Sequence, residues 1–466
     1  MLRTFAIETL GCKVNQYESR QIHTLLTELG LEPVKPDAKP DLTVINTCCV
    51  TKTASAKSRQ YLRKANRPNR GSTIVVLGCL TAAPQQELRT VADNVHLIKN
   101  RPAIAAELST IVIKNTAPRE AQPLLEARQT TANKAIKPQN HEQIKAKNPA
   151  NLPKLPDLTV FAGHTRAFLK AQDGCDCYCT YCIIPKVRPH IESRSIDLVC
   201  REAQQFVQSG HKEIVLTGIC LGAYGRDTTR RRYWADPEND RLAQLLDRLA
   251  QTPTLPRLRL SSLNPHDITD QLLDVFGNHN NIMPHLHLSL QSGSDRILRR
   301  MARQYTAENY LQKVKMIKDR LDDPAITTDI IVGFPGETDT DFEDTLALCK
   351  AVGFSRIHVF SFSVRNGTAA EKMTPKTNPR IIKQRSQILQ KLANELAYKY
   401  RNQFIGRTQR VLIESVENGT AAGRAERYFE VRIKNSPLTL NRGDIAEVIP
   451  TENTPACLIA QVQVAQ

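Results

Sequence analysis

Cys175, Cys179 and Cys182 stand in the run Gln172-Asp173-Gly174-Cys175-Asp176-Cys177-Tyr178-Cys179-Thr180-Tyr181-Cys182, a C-x3-C-x2-C spacing that sets three thiols on one short loop. Three thiolates can hold three irons of a four-iron cluster, whose usual set is four cysteines. The remaining iron is then an open site, suited to binding and reducing a small molecule. A structural zinc site of Cys175, Cys177, Cys179 and Cys182, or one closed by His190, fits the same spacing. A second triplet is dispersed: Cys12, Cys48 and Cys79 each stand just past an apolar run, over residues 5–11, 42–47 and 73–78.

Helical patterns follow those runs, over 16–29, 53–65 and 83–91. Alternating strand and helix builds a parallel sheet, and ligands of such a sheet gather at the carboxyl edge of its strands. Cysteines sharing that edge converge although far apart in sequence, so Cys12, Cys48 and Cys79 read as ligands of a second cluster, again one ligand short. Cys49 faces away from its neighbour in extended backbone and is assigned to packing. From 101 to 157 the periodicity fades, and 148–156 is proline-rich linker by composition.

A second alternating series starts at Arg166. Strands are expected over 167–171, 213–217, 257–261, 285–290, 327–332 and 356–362, with helices over 196–207, 242–249, 268–275, 307–319 and 341–351. Six strand–helix units make a closed or partly open parallel barrel, and barrel sites lie at the carboxyl ends of the strands. Those ends carry Thr217-Gly218, Ser261-Ser262, Gln291-Ser292-Gly293-Ser294 and Val332-Gly333. Residues 380–404 read as one basic amphipathic helix with Ile388, Leu392, Leu396 and Tyr400 on its apolar stripe. Short strands over 409–415, 428–434, 445–449 and 456–464, with turns at Gly419, Gly423 and Gly443, suggest a small antiparallel barrel.

A chain of 466 residues divides into about three domains. The net charge of +17 is concentrated: residues 52–70 hold seven Lys or Arg and no acid, and 371–410 hold ten basic and two acidic residues. Two basic patches beside a metal cluster favour a nucleic-acid partner, whereas 407–466, with seven basic and seven acidic residues, adds no bulk charge. No apolar run approaches the roughly 20 residues that span a bilayer, and the start lacks an apolar signal core. The expectation is a soluble, cytoplasmic protein without membrane contact.

With both triplets placed, the chain resembles the radical S-adenosylmethionine (radical-SAM) methylthiotransferases. The resemblance rests on Thr9-Leu10-Gly11-Cys12-Lys13-Val14-Asn15-Gln16-Tyr17-Glu18-Ser19, Asn46-Thr47-Cys48, Gly78-Cys79, His164-Thr165-Arg166-Ala167-Phe168-Leu169-Lys170, His285 through Ser294 and Asp329 through Glu337. It implies an α/β chain: an amino-terminal parallel methylthiotransferase domain (1–110), a linker (111–160), a radical-SAM (β/α)6 partial barrel (161–400) and a carboxyl-terminal TRAM barrel (401–466). It further implies two 4Fe–4S clusters, on Cys175, Cys179 and Cys182 and on Cys12, Cys48 and Cys79. S-adenosylmethionine contacts are then expected from Tyr181, Thr217, Gly218, Ser262, Gln291, Val332 and Gly333, with no catalytic side chain beyond the cluster ligands. The implied reaction adds a methylthio group to carbon 2 of N6-threonylcarbamoyladenosine beside the tRNA anticodon. The sibling branches act on isopentenyladenosine or on a ribosomal-protein aspartate. An electron donor such as flavodoxin or ferredoxin and a sulfur source are implied partners. Cys177, Cys220 and the glycine-free run Lys186-Val187-Arg188-Pro189-His190 depart from the family pattern. Cys177 leaves open another ligand set, and Cys200, Cys220, Cys349 and Cys457 are assigned to packing. A non-catalytic iron–sulfur or zinc RNA-binding protein is the competing reading.

Overall fold

The computed structural model describes residues 2–66, 72–82, 94–116, 153–236 and 238–462. The chain folds as two compact units, Met1–Leu158 and Thr159–Gln466. No helix among the described residues is long and apolar enough to cross a membrane.

The first unit is a parallel five-strand sheet of β1 (Thr4–Thr9), β2 (Glu32–Pro33), β3 (Leu42–Thr47), β4 (Thr73–Gly78) and β5 (Val95–Leu97), in the order β2-β1-β3-β4-β5. Strands β3 and β4 are almost wholly buried, as continuous apolar runs in a parallel sheet must be. Helix Lys13–Glu28 packs Ile22 and Leu26 against Phe5 and Val44. Helix Ile104–Thr116 adds Ile104, Leu108 and Val112 to the same core. That helix lies where periodicity was expected to fade; its apolar residues recur at helical spacing, but the flanking polar stretch masks them. The helix expected over 83–91 and most of the linker expected over 111–160 fall outside the described residues.

The second unit opens with β6 (Ala167–Asp173), bordered by the antiparallel β7 (Glu192–Ser193), then β8 (Glu213–Gly218) and β9 (Arg257–Leu260). A second parallel sheet holds β10 (His285–His287), β11 (Ala325–Val332) and β12 (Arg356–Ser361). Parallel bridges Leu258–Ile282 and Leu263–Leu288 join the sheets. All six expected strands are therefore present, in the order β6-β8-β9-β10-β11-β12. Among the described residues no pairing returns β12 to β6, so the barrel is open.

The carboxyl-terminal module is a closed barrel of β13 (Gln409–Glu417), β14 (Thr420–Ala425), β15 (Glu430–Lys434), β16 (Ile445–Asn453) and β17 (Leu458–Val462), in the order β13-β14-β15-β17-β16. Four pairings are antiparallel and the β15–β17 pairing is parallel. Strand β14 was not foreseen: its run of small residues, Thr420-Ala421-Ala422-Gly423-Arg424-Ala425, carries little strand preference. Gly423 is thus a strand residue and not a turn, and a Cβ there would lie 2.1 Å from the Leu412 carbonyl oxygen.

Helix Pro379–Asn402 packs beside β12. Its buried face is Arg385, Leu389, Leu392 and Ala393, while Ile388 is 44% exposed. Of the expected stripe, Leu392 is buried, Leu396 half-buried and Tyr400 packed against the closed barrel, while Ile388 drifts outward because each four-residue step advances roughly 40° around a 3.6-residue helix.

The amino end of the open barrel is sealed by the closed one. Arg257 and Arg259, fully buried on β9, donate to the carbonyls of Arg410, Arg424, Ala425 and Glu426. Glu213, at the start of β8, lies between the two guanidinium groups. The lumen therefore opens at the carboxyl end.

Candidate active site

In the first unit the carboxyl edge carries Cys12, Cys48 and Cys79 on the adjacent strands β1, β3 and β4. Register pairs Thr9 with Asn46 and Thr47 with Gly78, so Cys48 and Cys79 leave their strands side by side. Gly11, at φ +111°, turns Cys12 into the same space; a Cβ on it would lie 2.9 Å from Cys48 Cβ and 3.1 Å from its sulfur. Cys12 is the N-cap of helix Lys13–Glu28. Asn15 ties the turns together, donating to the carbonyls of Leu10 at 2.9 Å and Thr47 at 3.0 Å. Arg101 reaches from Glu18 to within 4.0 Å of the Cys79 sulfur. Cys49 is buried and its thiol donates to the Cys79 carbonyl at 3.3 Å, as a packing residue should.

In the second unit the loop after β6 carries Cys175 to Cys182. Gly174 (φ +80°) packs against the chain at His190 so tightly that a Cβ would lie 1.9 Å from the His190 carbonyl oxygen. Gln172 donates to the Gly174 carbonyl and accepts from the Cys220 amide, both at 2.8 Å. Buried Arg188, within the glycine-free run, pairs with Asp173 at 2.6 Å and accepts the Cys175 amide on its carbonyl. Burial pushes the Cys182 thiol up to about 12, and the nearby Cys179 and Cys175 sulfurs add to the shift. A cation stands beside these sulfurs: the Arg303 guanidinium donates to the Cys179 sulfur at 3.2 Å and to the Tyr305 hydroxyl at 2.9 Å. Soft thiolates on a rigid, close-packed loop fit an iron–sulfur group.

Cys177 lies beside Cys175, its amide 3.4 Å from that sulfur and its thiol directed to the Thr229 carbonyl at 3.5 Å. The His190 side chain is exposed. Cys349 and Cys457 are buried packing residues and Cys200 is half-buried. Cys220, expected as packing, stands instead against Cys175. The turn after Gly218, pinned by Gln172, brings it there.

The expected cofactor contacts share the carboxyl edge. Thr217 and Val332 are buried at the ends of β8 and β11. Gly218 packs on Gln172, and the Gly333 amide donates to Glu337 at 2.8 Å. Gln291, at φ +70°, bridges to β11. Tyr181 meets Phe334 edge-on, with ring centroids 6.5 Å apart. Ser262 is exposed, whereas the neighbouring Ser261 is buried with no partner for its hydroxyl.

Sequence reasoning missed three features. Arg303 gives no local signal, since it lies 124 residues from the cysteine it contacts. His287, Asp329 and His358 come together on β10, β11 and β12, their ligand atoms within 4.8 Å of one another. Finally, the loop 226–234 packs on the cysteine loop. There Arg230 pairs with Asp176 and lies 3.8 Å above the Tyr178 ring, itself 62% exposed. Arg232 stacks on the exposed Tyr233. Arginine and aromatic faces of this kind stack unpaired bases.

An open parallel barrel with three thiols on the loop after its first strand is the architecture of the radical-SAM enzymes, and the Radical SAM superfamily model matches residues 169–349. The model of the uncharacterized protein family UPF0004 matches residues 4–99. The threonylcarbamoyladenosine tRNA methylthiotransferase MtaB of Thermotoga maritima is 34% identical over 92% of this chain and 91% of its own. The tRNA-2-methylthio-N(6)-dimethylallyladenosine synthase of Zymomonas mobilis is 32% identical over 97% and 95%. Among solved structures, the radical S-adenosylmethionine methyltransferase TsrM of Kitasatospora setae, with cobalamin and a 4Fe–4S cluster bound, shares the fold. Its TM-score is 0.52 at 14% identity, over 80% of this chain and 74% of that one. The chain belongs to the radical-SAM tRNA methylthiotransferases. It is an enzyme acting on tRNA, with S-adenosylmethionine and 4Fe–4S clusters as cofactors.

Proposed function

We propose that the chain methylthiolates carbon 2 of N6-threonylcarbamoyladenosine beside the tRNA anticodon. Cys175, Cys179 and Cys182 hold one cluster and Cys12, Cys48 and Cys79 the other. The observation that carries this reading is the pair of thiol triplets, each at a strand's carboxyl edge and each one ligand short of a closed site. When bound, the clusters and S-adenosylmethionine supply an electron, the hydrogen-abstracting radical and the methylated sulfur. The chain's own part is to hold the thiolates, bind and orient cofactor and base, and exclude water. Tyr181, Thr217, Gly218, Ser262, Gln291, Val332 and Gly333 are assigned to the S-adenosylmethionine site. Domains at 1–110, 161–400 and 401–466, joined through 111–160, divide the work, the last as a TRAM domain. The loop 226–234 and the exposed Tyr178 offer base-stacking surfaces beside the cysteine loop. A low-potential donor such as flavodoxin or ferredoxin and a source of replacement sulfur complete the cycle.

Nucleoside mass spectrometry of tRNA from cells with and without the gene tests the substrate. Methylthio-threonylcarbamoyladenosine disappears on deletion, and an unchanged level overturns the assignment.

Arg303 sets the reducibility of the cluster. A hydrogen bond from a charged donor contributes about 1.5–3 kcal/mol. At ~59 mV per tenfold for a one-electron couple, Arg303→Gln lowers the midpoint potential by roughly 60–130 mV with iron content retained. An EPR-monitored redox titration reads this directly; an unmoved potential removes Arg303 from that role.

A further inference from the structure

We propose that His287, Asp329 and His358 form the subsite that reads the N6 substituent of the target adenosine, and that they select a polar, carboxyl-bearing group. The proposal rests on the threonylcarbamoyl assignment above and names the residues that enforce it.

The three side chains come from successive parallel strands. Register sets His287 opposite Thr327 and Asp329 opposite His358. The His287 and His358 rings lie 5.9 Å apart between centroids, and His287 Nε2 is 3.4 Å from Asp329 Oδ2. Side chains alternate between the faces of a strand. Ile331, two residues beyond Asp329, packs in the cluster of Tyr181, Met301 and Phe334 that adjoins the cysteine loop. That face of β11 is therefore the lumen, and the trio lines it just below the strand ends that carry Gln291, Val332 and Gly333. Glu213, Arg257 and Arg259 close the lumen beneath, with Tyr428 stacked on His285 at 4.8 Å. A group entering from the carboxyl end meets these three side chains at the bottom of its path.

Chemistry decides what that group is. The trio offers imidazole donors and a carboxylate acceptor, half-buried, with His287 Nδ1 on the Thr327 hydroxyl at 3.0 Å and His287 Nε2 facing Asp329 at 3.4 Å. Such a site pays for an apolar occupant with unmatched polar atoms and gains from a ligand carrying both donors and acceptors. A threonylcarbamoyl group carries both: its ureido N–H and hydroxyl suit Asp329, and its carboxylate suits the two imidazoles. An isopentenyl group carries neither. Phe360, on the His358 face of β12 and 39% exposed, gives a flat surface for the adenine ring. In adenine, C6 (which bears N6) and C2 both flank N1, so the substituent enters with the reacting edge. A divalent cation could use the same ligand set, and the experiment includes it as an outcome.

The test uses full-length, anaerobically reconstituted enzyme and two anticodon stem–loop RNAs that differ only in carrying N6-threonylcarbamoyladenosine or unsubstituted adenosine. The variants are His358→Phe and Asp329→Asn, and 5′-deoxyadenosine formed without RNA is the folding control. Wild type prefers the substituted RNA by at least ~100-fold in kcat/KM. Either variant cuts that preference below about tenfold, chiefly through a raised KM. Variants that keep the wild-type ratio overturn the proposal. So does an anomalous-scattering peak at the trio in holoenzyme crystals soaked with Mn2+, which would make it a cation site. If wild type makes no methylthio product on the substituted RNA, the substrate assignment itself has failed, which is a separate result.

Discussion

Cys179→Ala abolishes formation of 5′-deoxyadenosine and takes iron from about eight to about four per chain. Cys12→Ala, Cys48→Ala or Cys79→Ala removes the same amount of iron with the opposite functional signature. S-adenosylmethionine is still cleaved under a strong reductant, but no methylthio product appears. The asymmetry follows from placement. Cys175, Cys179 and Cys182 sit on the loop after β6, among the strand ends assigned to S-adenosylmethionine, with Arg303 on the Cys179 sulfur. Cys12, Cys48 and Cys79 sit on the edge of a separate sheet, where Gly11 and Asn15 fold them together. Cys177→Ala, whose sulfur is turned to the Thr229 carbonyl, keeps all the iron. Both losses are expected at three orders of magnitude or more, on the order of 4 kcal/mol in the barrier, because ligand removal eliminates a cofactor rather than weakening a contact. Iron and sulfide analysis with quantified 5′-deoxyadenosine and methylthio nucleoside separates the two classes. Zinc without iron in anaerobically purified protein, or equal loss of 5′-deoxyadenosine in both classes, would sink the two-cluster assignment.

What the sequence disclosed depended on how local each signal was. Strands β1, β3 and β4 and the six strands of the open barrel were legible as apolar-rich runs bounded by polar residues, cysteine or glycine, whereas the two- and three-residue strands β2, β5 and β7 were not foreseen. The radical loop was legible because its spacing is short and its residue types are rare. Strand β14 was hidden by its alanines and glycine, and helix Ile104–Thr116 by the polar stretch that follows it. The polar trio in the lumen had no signature as a site, although His287 and Asp329 lie in runs that carry the family resemblance. His287, Asp329 and His358 become neighbours only through the register of three strands, and each alone resembles an ordinary strand histidine or aspartate. Arg303 and Cys220 were missed for the same reason: a turn set elsewhere, by Tyr305 or by Gln172, carries each to the cysteine loop. The strand carrying Arg257 and Arg259 was foreseen, but the burial of its two arginines was not legible. Here they are buried because the carbonyls of a second barrel receive them.

That buried set gives the largest expected effect on stability. Glu213 faces two fully buried arginines, 2.8 Å from Arg259 and 3.4 Å from Arg257, and four backbone carbonyls accept from the terminal nitrogens of the two guanidinium groups. Burial pulls Arg257 down to about 10, with Glu213 opposing that shift, so the set is already short of negative charge. Glu213→Ala strands two cations away from water. Breaking a buried ionic pair from one side costs about 3–5 kcal/mol, which lowers the melting temperature of this unit by roughly 10 °C. Glu213→Gln keeps the shape and part of the hydrogen bonding and is expected to lose less. The pH dependence supplies an independent check. Burial acts to raise the Glu213 carboxyl, but Arg259, Arg257 and Arg166 outweigh it and hold it below its ordinary value. Its contribution to stability is therefore complete above the unfolded value of about 4.3 and is lost as pH falls through the lower folded value, where the native state must take up the proton. Wild type should lose stability more steeply than Glu213→Gln below about pH 4.3, and the two curves should run parallel above it. Thermal denaturation of both proteins across that range measures the difference. Parallel curves throughout would show that the carboxylate is not what holds the closed barrel against the open one.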